Sequence, residues 1–135
     1  MTLEDILKGL KKKEYAPVYF LMGEESFFID QITDYIIANA LKESDKDFNQ
    51  TILYGKDTDI GTIVTTARRF PMMAEKQLVV VREAQNIKNI DQLQSYVQNP
   101  LHSTILVINY KYKSLDKRKN FTKEVAKNGI LFESK

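Results

Sequence analysis

Arg69-Phe-Pro-Met-Met-Ala-Glu-Lys-Gln-Leu-Val-Val-Val-Arg82 is the stretch that decides the fold. Its second half, Leu78 to Val81, is apolar without a break, where a strand with one solvated face would alternate. A short unbroken apolar run fits a strand covered on both faces, as in a parallel sheet. The first half supplies the approach to that strand. A residue before proline is pushed out of the α region, so Pro71 ends a helix near Phe70. Met72 and Met73 then stand at a helix-to-strand corner. Such a pair either caps the core or points outward, and flexible, polarizable side chains at an exposed corner suit an apolar pocket on another protein.

Outward from this stretch the chain alternates. Leu3, Ile6, Leu7 and Leu10 recur at helical spacing behind Thr2, an N-cap residue type. Pro17 to Gly23 reads as a strand. Glu24 to Leu41 reads as a helix with Phe28, Ile32, Tyr35, Ile36 and Ala40 on one face. Phe48 to Tyr54 is a weaker strand closed by Gly55. The spacing predicts a helix over Asp59 to Phe70, with Ile60, Ile63, Val64, Ala67 and Phe70 facing inward. Gln77 to Val81 follows as the third strand, then a short helix over Asp91 to Gln98 stopped by Pro100. Thr104 to Ile108 is a fourth strand, again continuously apolar from Ile105 onward. Leu115 to Lys127 reads as a basic helix with Asn128-Gly129 as a left-handed stop signal. Ile130 to Phe132 is the fifth strand. Five strands separated by helices mean an α/β fold with three αβα layers around a parallel sheet.

Composition sets the outer bounds. A chain of 135 residues suits one domain with a real core. With no cysteine, disulfides and thiolate metal sites are excluded. The net charge is only +2, so a dedicated nucleic-acid binder lacks its whole-surface signature. No apolar run reaches the roughly 18 residues of a membrane span. Lys8, Lys11, Lys12 and Lys13 interrupt any signal-peptide block, which leaves a cytoplasmic protein with no membrane partner as the expectation.

Candidate chemistry is sparse. The turn Gly23-Glu-Glu-Ser-Phe27 occupies the place where a doubly wound fold holds phosphate. It lacks the second glycine, the lysine and the hydroxyl of a P-loop. Glu24 and Glu25 would instead face the positive end of the helix dipole and repel phosphate, which reads as capping rather than as a Mg²⁺ cluster. Ser26 has no surrounding G-x-S-x-G and no nearby histidine. His102, the one histidine, sits in a polar loop without a spaced partner, a weak base or metal candidate. Lys111 to Lys119 carries five basic residues against one acid, either a solvated helix face or a contact to a nucleic-acid backbone. Arg68 and Arg69 either steer an acidic partner or are simply solvated. Neither a catalytic group nor a cofactor or metal is expected.

Pro17-Val-Tyr-Phe-Leu-Met-Gly-Glu-Glu-Ser-Phe-Phe-Ile-Asp30 resembles the N-terminal signature of the delta subunit of the bacterial DNA polymerase III clamp loader. Three later segments match that family in order: Ala67 to Ala84, Ser103 to Tyr110, and Leu115 to Lys119. The resemblance implies an AAA+/RecA-like core that has lost its ATP site, here over residues 1–135 as the first domain of a longer chain. It implies no catalysis by this domain, although the parent complex carries DNA-directed DNA polymerase activity. Implied partners are the sliding clamp, the other clamp-loader subunits and DNA within the assembly. By position Met72 and Met73 correspond to the adjacent apolar pair that enters a pocket on the ring-shaped clamp, with Phe70 and Pro71 sharing the contact. That pair is more often Leu-Phe or Phe-Phe, and here neither residue is aromatic. Lys117, Arg118 and Lys119 match the basic helix start, a candidate for DNA contact. Two readings of other classes stand beside this one: a nucleotide or small-ligand domain at the Gly23 turn, and a direct DNA-binding module.

Overall fold

The computed structural model describes residues 1–135 and places every strand in one parallel sheet. The strands are β1 (Val18–Gly23), β2 (Gln50–Tyr54), β3 (Gln77–Arg82), β4 (Thr104–Lys111) and β5 (Ile130–Ser134), in the spatial order β2-β3-β4-β1-β5. The two continuously apolar runs and the Pro17–Gly23 segment become the three central strands, β3, β4 and β1. All six residues of β1 are buried, and five of six in β3. The edge strands β2 and β5 are only partly buried, which is why their sequence signal is weaker.

Alternate residues of each strand feed separate cores. Phe20, Met22, Val79, Val81, Leu106 and Ile108 face α4 (Ile60–Ala67), α5 (Gln94–Gln98) and α6 (Asn120–Asn128). Tyr19, Leu21, Leu78, Val80, Ile105 and Val107 face α1 (Leu3–Lys11) and α2 (Ser26–Asn39). The expected three layers are therefore present, with a core on each side of the sheet. Thr2 caps α1 by accepting from the Asp5 amide at 3.1 Å, and Asp5 reaches back to complete a capping box.

Four local expectations are corrected. Phe48 is not in a strand: α3 (Glu43–Asn49) runs first, Phe48 is exposed on it, and β2 begins only at Gln50. α4 stops at Ala67, so Phe70 lies beyond the helix and points to solvent, 77% exposed, rather than inward. The basic helix starts at Asn120, not Leu115. Asp116 organises a turn instead, its carbonyl accepting from the Thr122 hydroxyl at 2.7 Å and its carboxylate from the Arg118 amide at 2.9 Å. Gly129 is extended (φ −147°), not left-handed. A glycine is needed there for a different reason, because a Cβ would lie 2.6 Å from the Val18 carbonyl oxygen.

Candidate functional site

Two places at opposite edges of the sheet held functional expectations. The first is the crevice beyond the C-terminal ends of β1 and β4. Gly23 has a φ of +119°, and an added Cβ would strike the Ser134 main chain. Its amide donates to the Lys113 carbonyl at 2.9 Å, and its carbonyl accepts from the Tyr112 amide at 2.8 Å. The amide at the head of the turn is thus spent on the protein itself. Glu24 and Glu25 are exposed, and Glu25, at the N-cap of α2, makes no side-chain capping bond. α2 therefore begins at Ser26, two residues later than the pattern suggests.

A buried cation does lie in this crevice. Lys111 ends β4 directly beside Gly23 and places its ammonium 2.8 Å from Asp30 and 3.6 Å from Glu83. Burial pulls its pKa down, but the Asp30 hydrogen bond and the charges of Asp30 and Glu83 outweigh that and hold it above the usual lysine value. The ion cluster closes on itself. Ser26 follows β1 and His102 precedes β4, so in parallel strands they stand at opposite edges, separated by a strand length of about 20 Å. They form no catalytic pair. No group of three His, Asp or Glu side chains is placed to hold a metal ion.

The second place is the corner between α4 and β3, at the N-terminal edge. Asp59 caps the start of α4 by accepting from the Thr62 amide at 2.8 Å, which holds its carboxyl below the usual range. The end of α4 is closed from outside the helix. The buried Gln77 side-chain amide donates to the Arg69 carbonyl at 2.6 Å and reaches Thr104 Oγ1 at 2.9 Å, with the Thr66 and Ala67 carbonyls at 3.1 and 3.2 Å. The Thr104 hydroxyl donates to the Ala67 carbonyl at 2.6 Å. Arg68 stacks its guanidinium 4.8 Å from the centre of the Tyr96 ring and donates to the Asn99 carbonyl at 3.3 Å. It is a structural tie although, like Arg69, it is exposed.

Beyond this cap the chain projects apolar side chains into solvent. Phe70 is 77%, Met72 61% and Met73 100% exposed, with Pro71 half-buried between them. Met73 adopts φ +54°, a left-handed conformation that costs a non-glycine residue about 1 kcal/mol. Asn49, the last residue of α3, holds the middle of the segment. It accepts from the Met72 amide at 2.7 Å and donates to the Met72 carbonyl at 2.9 Å. Beside Met73 opens a cleft of about 840 Å³ whose rim includes Tyr15, Leu41, Lys42, Asp45 and Lys76. Sequence reasoning missed Asn49 and Gln77. Neither belongs to a motif, and each acts on residues reached only by folding.

The basic trio lies in the turn before α6 rather than on the helix. Lys117 pairs with Glu133 at 3.1 Å, and Arg118 pairs with Asp116 at 3.1 Å. Lys119 is the N-cap residue.

Comparison with known proteins bears on the family and the fold. The family model for the DNA polymerase III delta subunit matches residues 19–135. The DNA polymerase III subunit delta of Bacillus subtilis is 31% identical over 141 residues, covering 97% of this chain and 41% of that protein. The solved structure of the Bacillus subtilis DNA clamp loader delta protein superposes with a TM-score of 0.85 at 30% identity, over 98% of this chain and 42% of that one. A DNA polymerase III gamma subunit-related protein of Thermotoga maritima aligns with all of this chain and 46% of its own, with a TM-score of 0.57 at 14% identity. That last likeness concerns the fold alone. This chain thus spans about two fifths of the length of its delta-subunit relatives.

Proposed function

Because the chain belongs to the family of DNA polymerase III delta subunits, we propose that its Phe70–Met73 corner binds the DNA sliding clamp and helps open it during replication. One observation carries this reading. Phe70, Met72 and Met73 are largely exposed on a corner held by Gln77 at its N-terminal flank and by Asn49 at Met72. A large apolar group held rigidly in water is costly to a protein that does not bury it elsewhere, and it suits an anchor.

The action is mechanical. Burying each methionine in a pocket contributes roughly 1.5–3 kcal/mol of gross transfer energy, less the cost of ordering. Opening follows only from a difference in affinity: an anchor that fits a distorted clamp interface better than a closed one shifts the ring toward the open form. The crevice at Gly23 is at the far edge and takes no part in this contact. Inside an assembled loader, the side chains of Lys117, Arg118 and Lys119 are the candidates for contact with the DNA backbone, alongside the other loader subunits.

The test is the double substitution Met72→Ser/Met73→Ser, with affinity for the sliding clamp of the same organism measured by calorimetry. Clamp binding is expected to weaken by about 30- to 1,000-fold, the loss of roughly 2–4 kcal/mol typical of two hot spots. The melting temperature is expected to hold within a few degrees, because the replaced side chains pack little. Unchanged clamp affinity would remove the corner from the interface.

A further inference from the structure

We propose that Asn49 is a positioning residue for the clamp-binding corner: its side-chain amide sets the main chain of Met72 and thereby presents the methionine pair to the partner. The inference rests on the reading of that corner as the clamp site. Asn49 is 3% exposed, so its side chain works from inside the fold. It meets Met72 with two complementary bonds, donating to the carbonyl at 2.9 Å and accepting from the amide at 2.7 Å. The same two-way exchange links directly opposed residues in a hydrogen-bonded antiparallel strand pair. A third contact, to the Asp45 carbonyl at 3.2 Å, ties the amide back to its own helix.

Nothing else does this work. From Phe70 to Lys76 the main chain makes no other hydrogen bond to the protein, the Gln77 cap reaching only as far as Arg69. The left-handed turn at Met73 lies next to the point that Asn49 grips. Without the grip the segment is free to relax away from that conformation. A partner would then have to order it on binding, and affinity falls by the cost of that ordering. Because the bonds go to the main chain, the side chains of Met72 and Met73 stay available.

The experiment compares the wild-type chain with Asn49→Ala, Met72→Ser/Met73→Ser and the triple variant, by amide hydrogen exchange and by binding to the sliding clamp. In Asn49→Ala the Met72 amide is expected to exchange on the order of tenfold faster or more, while the Val79 to Val81 amides of β3 keep their protection. Clamp affinity is expected to fall by about 10- to 50-fold. Added to the Met-to-Ser pair, Asn49→Ala is expected to change affinity less than about twofold, since nothing is left to position. A residue that merely stabilised the fold would lower protection throughout and leave the affinity of the folded fraction intact. If Asn49→Ala leaves too little folded protein, Asn49→Asp replaces it; it keeps an acceptor for the Met72 amide and loses the donor to the carbonyl. Undiminished clamp affinity in the Asn49 variant, alongside weak binding by the Met-to-Ser pair, would overturn the positioning role. Undiminished affinity in the Met-to-Ser pair itself would overturn the proposed function, and this inference with it.

Discussion

Replacing Gln77 by methionine keeps the side-chain volume and removes both amide donors and the acceptor. Gln77 is 5% exposed, so water cannot readily take over. The Thr66 and Ala67 carbonyls have other donors, the Arg69 amide at 3.3 Å and the Thr104 hydroxyl at 2.6 Å. The Arg69 carbonyl, at 2.6 Å from Gln77, depends on it alone, and Thr104 Oγ1 loses its incoming bond at 2.9 Å. One orphaned, partly buried acceptor costs about 1–3 kcal/mol and the second lost bond about 1 kcal/mol more, for a total of roughly 2–4 kcal/mol. For a domain of this size each kcal/mol moves the melting temperature by about 3–5 °C, so a drop of roughly 6–20 °C is expected in a calorimetric scan. Urea titration should show a lower midpoint at unchanged slope, the sign of lost stability without a change in exposed surface. Thr104→Val shares these acceptors, so the two substitutions together should cost about 1 kcal/mol less than their sum. A shift below about 3 °C, or strict additivity with Thr104→Val, would refute the view that Gln77 closes α4 and steadies the corner.

Two further outcomes concern the other edge of the sheet. Lys111→Met should destabilise by about 2 kcal/mol at neutral pH, because it leaves Asp30 and Glu83 facing each other without their cation. Since the folded state raises the Lys111 pKa above 10.5, that contribution is complete below 10.5 and fades as pH rises through the folded value. The wild-type advantage over Lys111→Met, measured by urea unfolding, should therefore shrink above pH 10.5, and an advantage that stays constant to higher pH would contradict the ion cluster. ATP with Mg²⁺ should give no saturable heat with this chain, because the Gly23 amide is already bonded to Lys113 and the turn offers no lysine. A stoichiometric binding isotherm would restore the nucleotide-site reading.

The architecture was legible because it rests on short-range pattern. Unbroken apolar runs at Leu78–Val81 and Ile105–Ile108 can be satisfied only by cover on both faces, and that condition already implies a parallel sheet with helices on either side. Pro71 likewise announced the corner, since its steric effect falls on the residue before it. Helix ends were less legible, because they depend on remote partners. α4 ends at Ala67, where Gln77 and Thr104 donate to its last carbonyls, and Phe70 lies beyond that end, turned outward. α3 was hidden for a related reason: over seven residues rich in charge it carries almost no apolar periodicity, and its one buried side chain is the polar Asn49. The order β2-β3-β4-β1-β5 was beyond the sequence as well, since each strand reads the same whichever neighbour it pairs with. The sequence by itself determined that two methionines follow a proline at a helix-to-strand corner. Only the tertiary structure decided that they stand exposed in a fixed shape, because Asn49 and Met72 are 23 residues apart and their bonds exist only once β2 and β3 lie side by side.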